Sequence, residues 1–290
     1  MERHTETQRL KWALAISLAY FFAELIAGFL TNSLALLSDA GHMLSDVGAL
    51  ALSLFAFRIS RRPATAESTY GYHRIEILVA LLNGLLLWFI VGVIFAAAYN
   101  RIGSPPAVAS QGMIVVAALG LLVNIVAGVM LYDRHGDNLN MHGAFLHVIS
   151  DAVGSVGAIV AGLIMLFTGW YLADPIISVF IGLLILHSSW TLIKESLSIL
   201  MQAVPKGIRL EEVQRTIEEV DGVVKVHDLH VWAVTSGMFT LSAHAVVENG
   251  GNLHEVLNGI EDTLKDRFNI EHTTIQLETE SREDKEFKAF

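Results

Sequence analysis

The chain has 290 residues, 53% of them hydrophobic and only 17% charged, with a formal net charge of −10 and no cysteine. So apolar a composition, unevenly placed along the chain, excludes a single soluble core. The missing cysteines exclude disulfides, thiolate metal sites and cysteine nucleophiles together, which leaves histidine and carboxylate as the strong metal ligands. Residues 1–204 hold 10 Lys/Arg and 12 Asp/Glu while residues 205–290 hold 9 and 17, so two regions facing different solvents are expected.

Met1 to Lys11 is polar and leads into an apolar stretch longer than a signal-peptide core, which reads as a first membrane span. Six segments reach the roughly 20 apolar residues needed to cross a bilayer: 12–31, 34–57, 77–99, 111–131, 144–168 and 174–193. Of the connectors after the first, third and fifth spans, only 100–110 carries a positive charge, Arg101. Arg3, Arg9, Lys11, Arg58, Arg61, Arg62, Arg74 and Arg134 collect on the other side. Lysine and arginine accumulate on the cytoplasmic face, so both termini are expected there.

From Pro205 the pattern becomes that of a small soluble domain. Residues 209–220 have helical spacing, 223–234 and 238–248 alternate as strands, 252–267 returns to helical spacing, and 273–279 reads as a last strand. The expected organisation is a transport domain at 1–204, an αββαβ domain at 205–282 and an acidic tail at 283–290.

Span two contains His42-x-x-x-Asp46 and span five contains His147-x-x-x-Asp151, both within His-x-(Leu/Ile)-Ser-Asp. A spacing of four puts the two side chains on one helical face, about one turn apart. Two such helices facing each other present two imidazoles and two carboxylates, a four-coordinate set suited to Zn²⁺. Polar residues also hold membrane bundles together by hydrogen bonding. A central Asp, however, costs roughly 2.5 to 3.5 kcal/mol on insertion scales, so Asp46 and Asp151 together cost about 5 to 7 kcal/mol, a burden that favours function over structure. Asp39, one turn before His42, belongs either to an exit path or to the start of the helix. Glu24, Asn83, Asn124 and His187 read as interhelical hydrogen-bonding groups, and Asp174-Pro175 as the N-cap and first turn of span six.

Such a ligand set binds metal only when deprotonated, so metal and protons compete for it, which in chemical terms is exchange. No Gly-x-x-x-x-Gly-Lys-Ser/Thr stretch is present, so no nucleotide is expected to drive it.

With these motifs, the Tyr70-Gly-Tyr-His-Arg-Ile-Glu76 connector and the His227-Asp-Leu-His-Val-Trp232 stretch, nearly the whole chain resembles the cation diffusion facilitator family, in particular its zinc-type bacterial metal/proton antiporters. The resemblance implies export of Zn²⁺ from the cytoplasm in exchange for H⁺, with Cd²⁺ and Co²⁺ as secondary cargo. It also implies a homodimer in the bacterial inner membrane and a metallochaperone-like cytoplasmic domain. His227, His244, His272 and Glu278 match positions that bind regulatory metal in relatives, and His230 and His254 are further candidates there. His73 resembles a ligand position of some relatives, but a second ligand nearby is missing here. The 133–143 connector, with His135 and His142, is too short to be a metal-collecting loop.

An enzyme is not expected. The nearest approach to a His-Glu-x-x-His metallohydrolase motif, His254-Glu255-Val-Leu-Asn258, lacks its second histidine. A membrane-anchored metal sensor without transport is the alternative, and it leaves the intramembrane ligand pairs unexplained. The expected partners are a divalent metal cation, protons, membrane lipid and a second copy of the chain, with no nucleic acid.

Overall fold

The computed structural model describes residues 18–60, 62–132, 139–250 and 252–279. The expected acidic tail at 283–290, the beginning of span one at 12–17, and His135 lie outside the described residues. Two compact units emerge, one within Met1–Ser53 and Leu82–Ile193, the other within Leu54–Leu81 and Lys194–Phe290.

The helices of the apolar part are α1 (Leu18–Thr31), α2 (Leu34–Ser60), α3 (Arg74–Ile102), α4 (Ser110–Tyr132), α5 (Leu139–Thr168) and α6 (Ala173–Leu200). α2 to α6 cover the second to sixth expected spans and extend most of them by one or two turns, and α1 covers 18–31 of the first. Among the described residues, α3, Ser110–Val129 of α4, Val148–Thr168 of α5, and α6 are long and apolar enough to cross a membrane. The 27 residues of α2, at about 1.5 Å each, also exceed a hydrocarbon core of roughly 30 Å. The core between the helices is built from Leu36, Val91, Met113, Ala117, Met165 and Ile181. Large apolar side chains such as Phe29, Phe89 and Phe167 point outward, as helices solvated by lipid require.

The turn between α1 and α2 depends on residues far away in sequence. Asn32 takes up a left-handed conformation (φ 57°), and the Ser33 amide donates back to the Gly28 carbonyl at 3.0 Å, closing α1. Ser33 then caps α2, its Oγ accepting from the Leu36 amide at 3.3 Å. The carboxylate of Asp174 reinforces this cap: it accepts from Ser33 Oγ at 2.7 Å, from the Leu34 amide at 2.8 Å and from the Ala35 amide at 3.2 Å. Arg101, at the end of α3, donates to Asp174 at 3.2 Å and to the Asn32 carbonyl at 2.7 Å. Asp174 therefore caps α2 and not its own helix, which already begins at Ala173. The expected N-cap of span six is corrected here, because the unsatisfied amides at the start of α2 and the Arg101 guanidinium together outcompete the local partner.

In the second unit, α7 (Leu210–Glu218), β1 (Val223–Thr235), β2 (Met238–Val247), α8 (Leu253–Phe268) and β3 (Ile270–Glu278) follow the expected αββαβ order. The sheet order is β1-β2-β3. β1 and β2 are antiparallel, joined across Gly237 (φ 76°), and β2 and β3 are parallel, as the α8 crossover demands. Val213, Ile217, Leu241, Ile260, Leu264 and Ile270 fill the core between helices and sheet. β3 begins three residues earlier than expected, because Ile270 is drawn into this core. The Tyr70–Glu76 connector packs on the same unit: Thr235 Oγ1 donates to Glu76 Oε2 at 3.0 Å, and the Tyr70 ring meets the His272 ring edge-on at 5.5 Å.

Candidate metal centres

In the membrane-helix unit, α2 and α5 bring the two halves of the repeated motif together. His42 Nε2 lies 3.4 Å from Asp151 Oδ1, with both side chains largely buried. The distance is informative. Two donors each about 2.0 to 2.1 Å from a tetrahedral Zn²⁺ are separated by about 3.3 to 3.4 Å, so the pair stands at the spacing of two ligands of one ion. Asp46 and His147 sit one turn away from these residues on the same two helices; their side chains lie outside the described residues. A cavity of about 520 Å³ opens beside the pair, lined among others by Asp39, His42, Ser150, Asp151 and His187.

Asp39 is the sixth residue of α2, whose start is held by Ser33 and Asp174, so the helix-start reading fails; its side chain lines the cavity. Asn83 behaves as a bundle polar group, accepting from Ser45 Oγ at 2.9 Å. Glu24 is fully buried, and its Oε1 accepts the Tyr20 hydroxyl at 2.5 Å within α1.

The second centre lies on the sheet. His227 and His244 are direct cross-strand partners on β1 and β2, with ring centroids 5.2 Å apart. Glu278, at the end of β3 and opposite Val246, reaches both. Its Oε2 is 3.3 Å from His227 Nε2 and its Oε1 is 3.4 Å from His244 Nδ1, again the edge length of a tetrahedral zinc site. One ligand atom from each of the three residues falls within 4.8 Å of the others. The donor set of two imidazoles and a carboxylate fits Zn²⁺ and leaves one position for a further ligand or water. Gln276 donates to Glu278 Oε1 at 2.6 Å and so orients the carboxylate.

Sequence reasoning missed Asp228. It occupies a bulge between His227 and His230 and has a left-handed backbone (φ 48°). From there its carboxylate lies 2.9 Å from His230 Nε2 and 3.9 Å from His244 Nε2. It thus lies on the side of the His244 ring that points away from Glu278, beyond hydrogen-bond distance of Nε2. No sequence signal marks the bulge: Asp tolerates left-handed backbone better than most residues, but it occurs far more often outside it, so its presence in a strand does not announce one.

His272, expected in the same ligand set, stands apart in the single chain. It pairs with Thr240, whereas Glu278 pairs with Val246 six residues further along β2, about 20 Å at strand rise. The exposed His272 ring meets Tyr70 instead. His254 is exposed in the first turn of α8, and His73 precedes α3 on the connector. Among the described residues, neither belongs to a group of three ligands close enough to hold an ion.

Residues 10–201 match the family described as the cation efflux transmembrane domain, and residues 205–280 the cytoplasmic domain of cation efflux proteins. The chain belongs to the cation diffusion facilitator family. As a cation diffusion facilitator it is a transporter and not an enzyme, a set of membrane helices followed by a cytoplasmic αββαβ domain. It is 46% identical to the metal cation efflux system protein CzcD of Cupriavidus metallidurans over 270 residues, covering 93% of this chain and 85% of that one. It is also 46% identical to the cadmium, cobalt and zinc/H(+)-K(+) antiporter of Bacillus subtilis, covering 90% and 86%. The zinc transporter ZitB of Escherichia coli is 40% identical, covering 93% and 87%. The solved metal-bound C-terminal domain of the CzcD transporter is 43% identical, covers 24% of this chain and 99% of that one, and has a TM-score of 0.24.

Proposed function

We propose that this protein exports Zn²⁺ from the cytoplasm in exchange for protons, with Cd²⁺ and Co²⁺ as secondary cargo. The observation that carries the reading is the His42–Asp151 pair, 3.4 Å apart beside a cavity among membrane helices, with each partner belonging to a repeated His-x-x-x-Asp turn. His42, Asp46, His147 and Asp151 form the transport site. Metal enters it as protons leave, and protonation of the same groups from the opposite side expels the metal, so one ligand set serves both ions. Rearrangement of the helices around a fixed site supplies alternating access. The relatives in Bacillus subtilis and Escherichia coli, a cadmium, cobalt and zinc antiporter and a zinc transporter, support the choice of cargo.

His227, His244 and Glu278 form a regulatory Zn²⁺ site in the cytoplasmic domain, and bound metal supplies there a cross-link between three strands. The transport domain spans 1–204, the cytoplasmic domain 205–282, and the chain works as a homodimer in the bacterial inner membrane with both termini in the cytoplasm. His73, His230 and His254 are peripheral to both sites.

The test is Zn²⁺ flux in proteoliposomes under an imposed pH gradient, with and without a K⁺ gradient, for the unaltered protein and for Asp46→Ala and Asp151→Ala. Gradient-driven flux abolished by either substitution establishes the site and the proton coupling. Flux that ignores pH, or survives both substitutions, removes the proposal.

A further inference from the structure

The cavity beside His42 and Asp151 has a third wall, α6, and its chemistry changes along the helix. Toward the α6 N-terminus the wall is apolar, formed by Ile181, Leu184 and Ile185; beyond them it is formed by His187, Ser188 and Thr191. Between Pro175 and Leu186 the helix offers one polar side chain, Ser178, whose hydroxyl donates to its own Asp174 carbonyl at 2.6 Å. His187 is therefore the first imidazole or carboxylate of α6 after Asp174, and it sits mid-helix.

No interhelical hydrogen bond to another described residue, the ordinary reason for such a group, accounts for it. Among the described residues no hydrogen bond or ion pair involves His187. The α3-packed face of α6 is marked by Ser189, about 200° round the helix from His187: Trp88 Nε1 donates to its buried Oγ at 3.2 Å. His187, Ser188 and Thr191 share the cavity face, His187 and Thr191 lying one turn apart. Ser188 Oγ donates to the Ile185 carbonyl at 3.0 Å, which leaves its oxygen lone pairs directed away from the backbone.

We propose that His187, assisted by the hydroxyls of Ser188 and Thr191, is a relay site for a divalent transition-metal cation in this cavity, through which cargo passes to and from the His42–Asp151 pair. The inference rests on the reading of that pair as part of the transport site and adds a ligand to its access route. One imidazole with two neutral hydroxyls and water is a donor set that holds Zn²⁺, Co²⁺ or Cd²⁺ loosely. Loose binding is what a relay requires: attractive enough to strip part of the hydration shell, and weak enough to release forward to a four-ligand site.

The chain has no cysteine, so His187→Cys introduces a single thiol into the full-length protein. In proteoliposomes, a charged, membrane-impermeant thiol reagent is expected to modify it, and Zn²⁺ is expected to slow that modification about tenfold, in the Asp151→Ala background as well. A thiol that the reagent does not reach, as on a lipid-facing side, or one that Zn²⁺ does not protect, overturns the proposal. In flux, His187→Ala is expected to raise the KM for Zn²⁺ about tenfold with a smaller effect on maximal rate, while His187→Cys, which keeps a ligand, recovers most of the affinity. An unchanged KM in His187→Ala, with Asp151→Ala inactive, sinks the relay and leaves the transport site standing. Normal transport by Asp151→Ala together with a Zn²⁺-protected thiol sinks the transport-site reading and leaves the cation site on α6.

Discussion

At the scale of single residues, both candidate centres come down to carboxylates placed about one ligand spacing from an imidazole. Asp151→Asn preserves the shape beside His42 but removes the anion. Zn²⁺ flux should fall by about 100-fold or more, because an amide neither neutralises the ion nor exchanges a proton with it. In the cytoplasmic centre Glu278 bridges two histidines and is itself held by Gln276 at 2.6 Å. Gln276→Ala should weaken Zn²⁺ binding at this centre about 10-fold in competition with a chelating dye, the usual loss when a residue that orients a ligand is removed. An affinity unchanged by Gln276→Ala would mean that Glu278 is not the oriented ligand described. Glu278→Gln should weaken binding further, since it removes the ligand charge itself. At this scale the sequence was legible in part. His42, Asp151, His227, His244 and Glu278 could all be named from motif spacing and resemblance. Asp228 could not, because its reach to His230 and His244 depends on a bulge that no local residue pattern announces.

At the scale of elements, the start of α2 is worth a test because that helix carries His42 and Asp46, half of the proposed transport site. Its first amides end on Asp174, which is fully buried, and the charge of Asp174 is answered by Arg101. Asp174→Ala leaves the buried amides of Leu34 and Ala35 without their acceptor and takes from Arg101 its carboxylate partner, although the guanidinium keeps the Asn32 oxygens. The loss should be about 3 kcal/mol or more, read as a lowered unfolding temperature in detergent. A change within one degree would mean that the cap does not hold α2. A second element-scale test concerns α1 and α4, which approach so closely that a Cβ on Gly120 would run into the Tyr20 hydroxyl. Gly120→Val should therefore force Tyr20 out of its hydrogen bond with Glu24 and lower the yield of folded protein in membranes.

At the scale of the whole molecule, two centres in two compact units make a prediction about additivity. Zn²⁺ at about 100 times the dissociation constant of a site stabilises the folded state by about 2.7 kcal/mol. The full-length protein should accordingly gain thermal stability in two separable parts, one lost in Glu278→Gln and the other in Asp151→Ala, with both lost in the double variant. A shift that vanishes in either single variant would mean one shared site.

What the sequence determined by itself was everything with a short period: the six apolar stretches, the helix-strand-strand-helix-strand order after Pro205, and the His-x-x-x-Asp turns of α2 and α5. These are local because side-chain periodicity and spacing of four within a helix need no partner to be defined. What only the tertiary structure decided was pairing across long separations: that Asp174 caps α2 instead of α6, that Glu278 joins His227 and His244 while His272 turns to Tyr70, and that His187 shares a cavity with His42 and Asp151. A side chain several helices or strands away is chosen by packing and by competition among unsatisfied polar groups, and neither is written in the residues next to it.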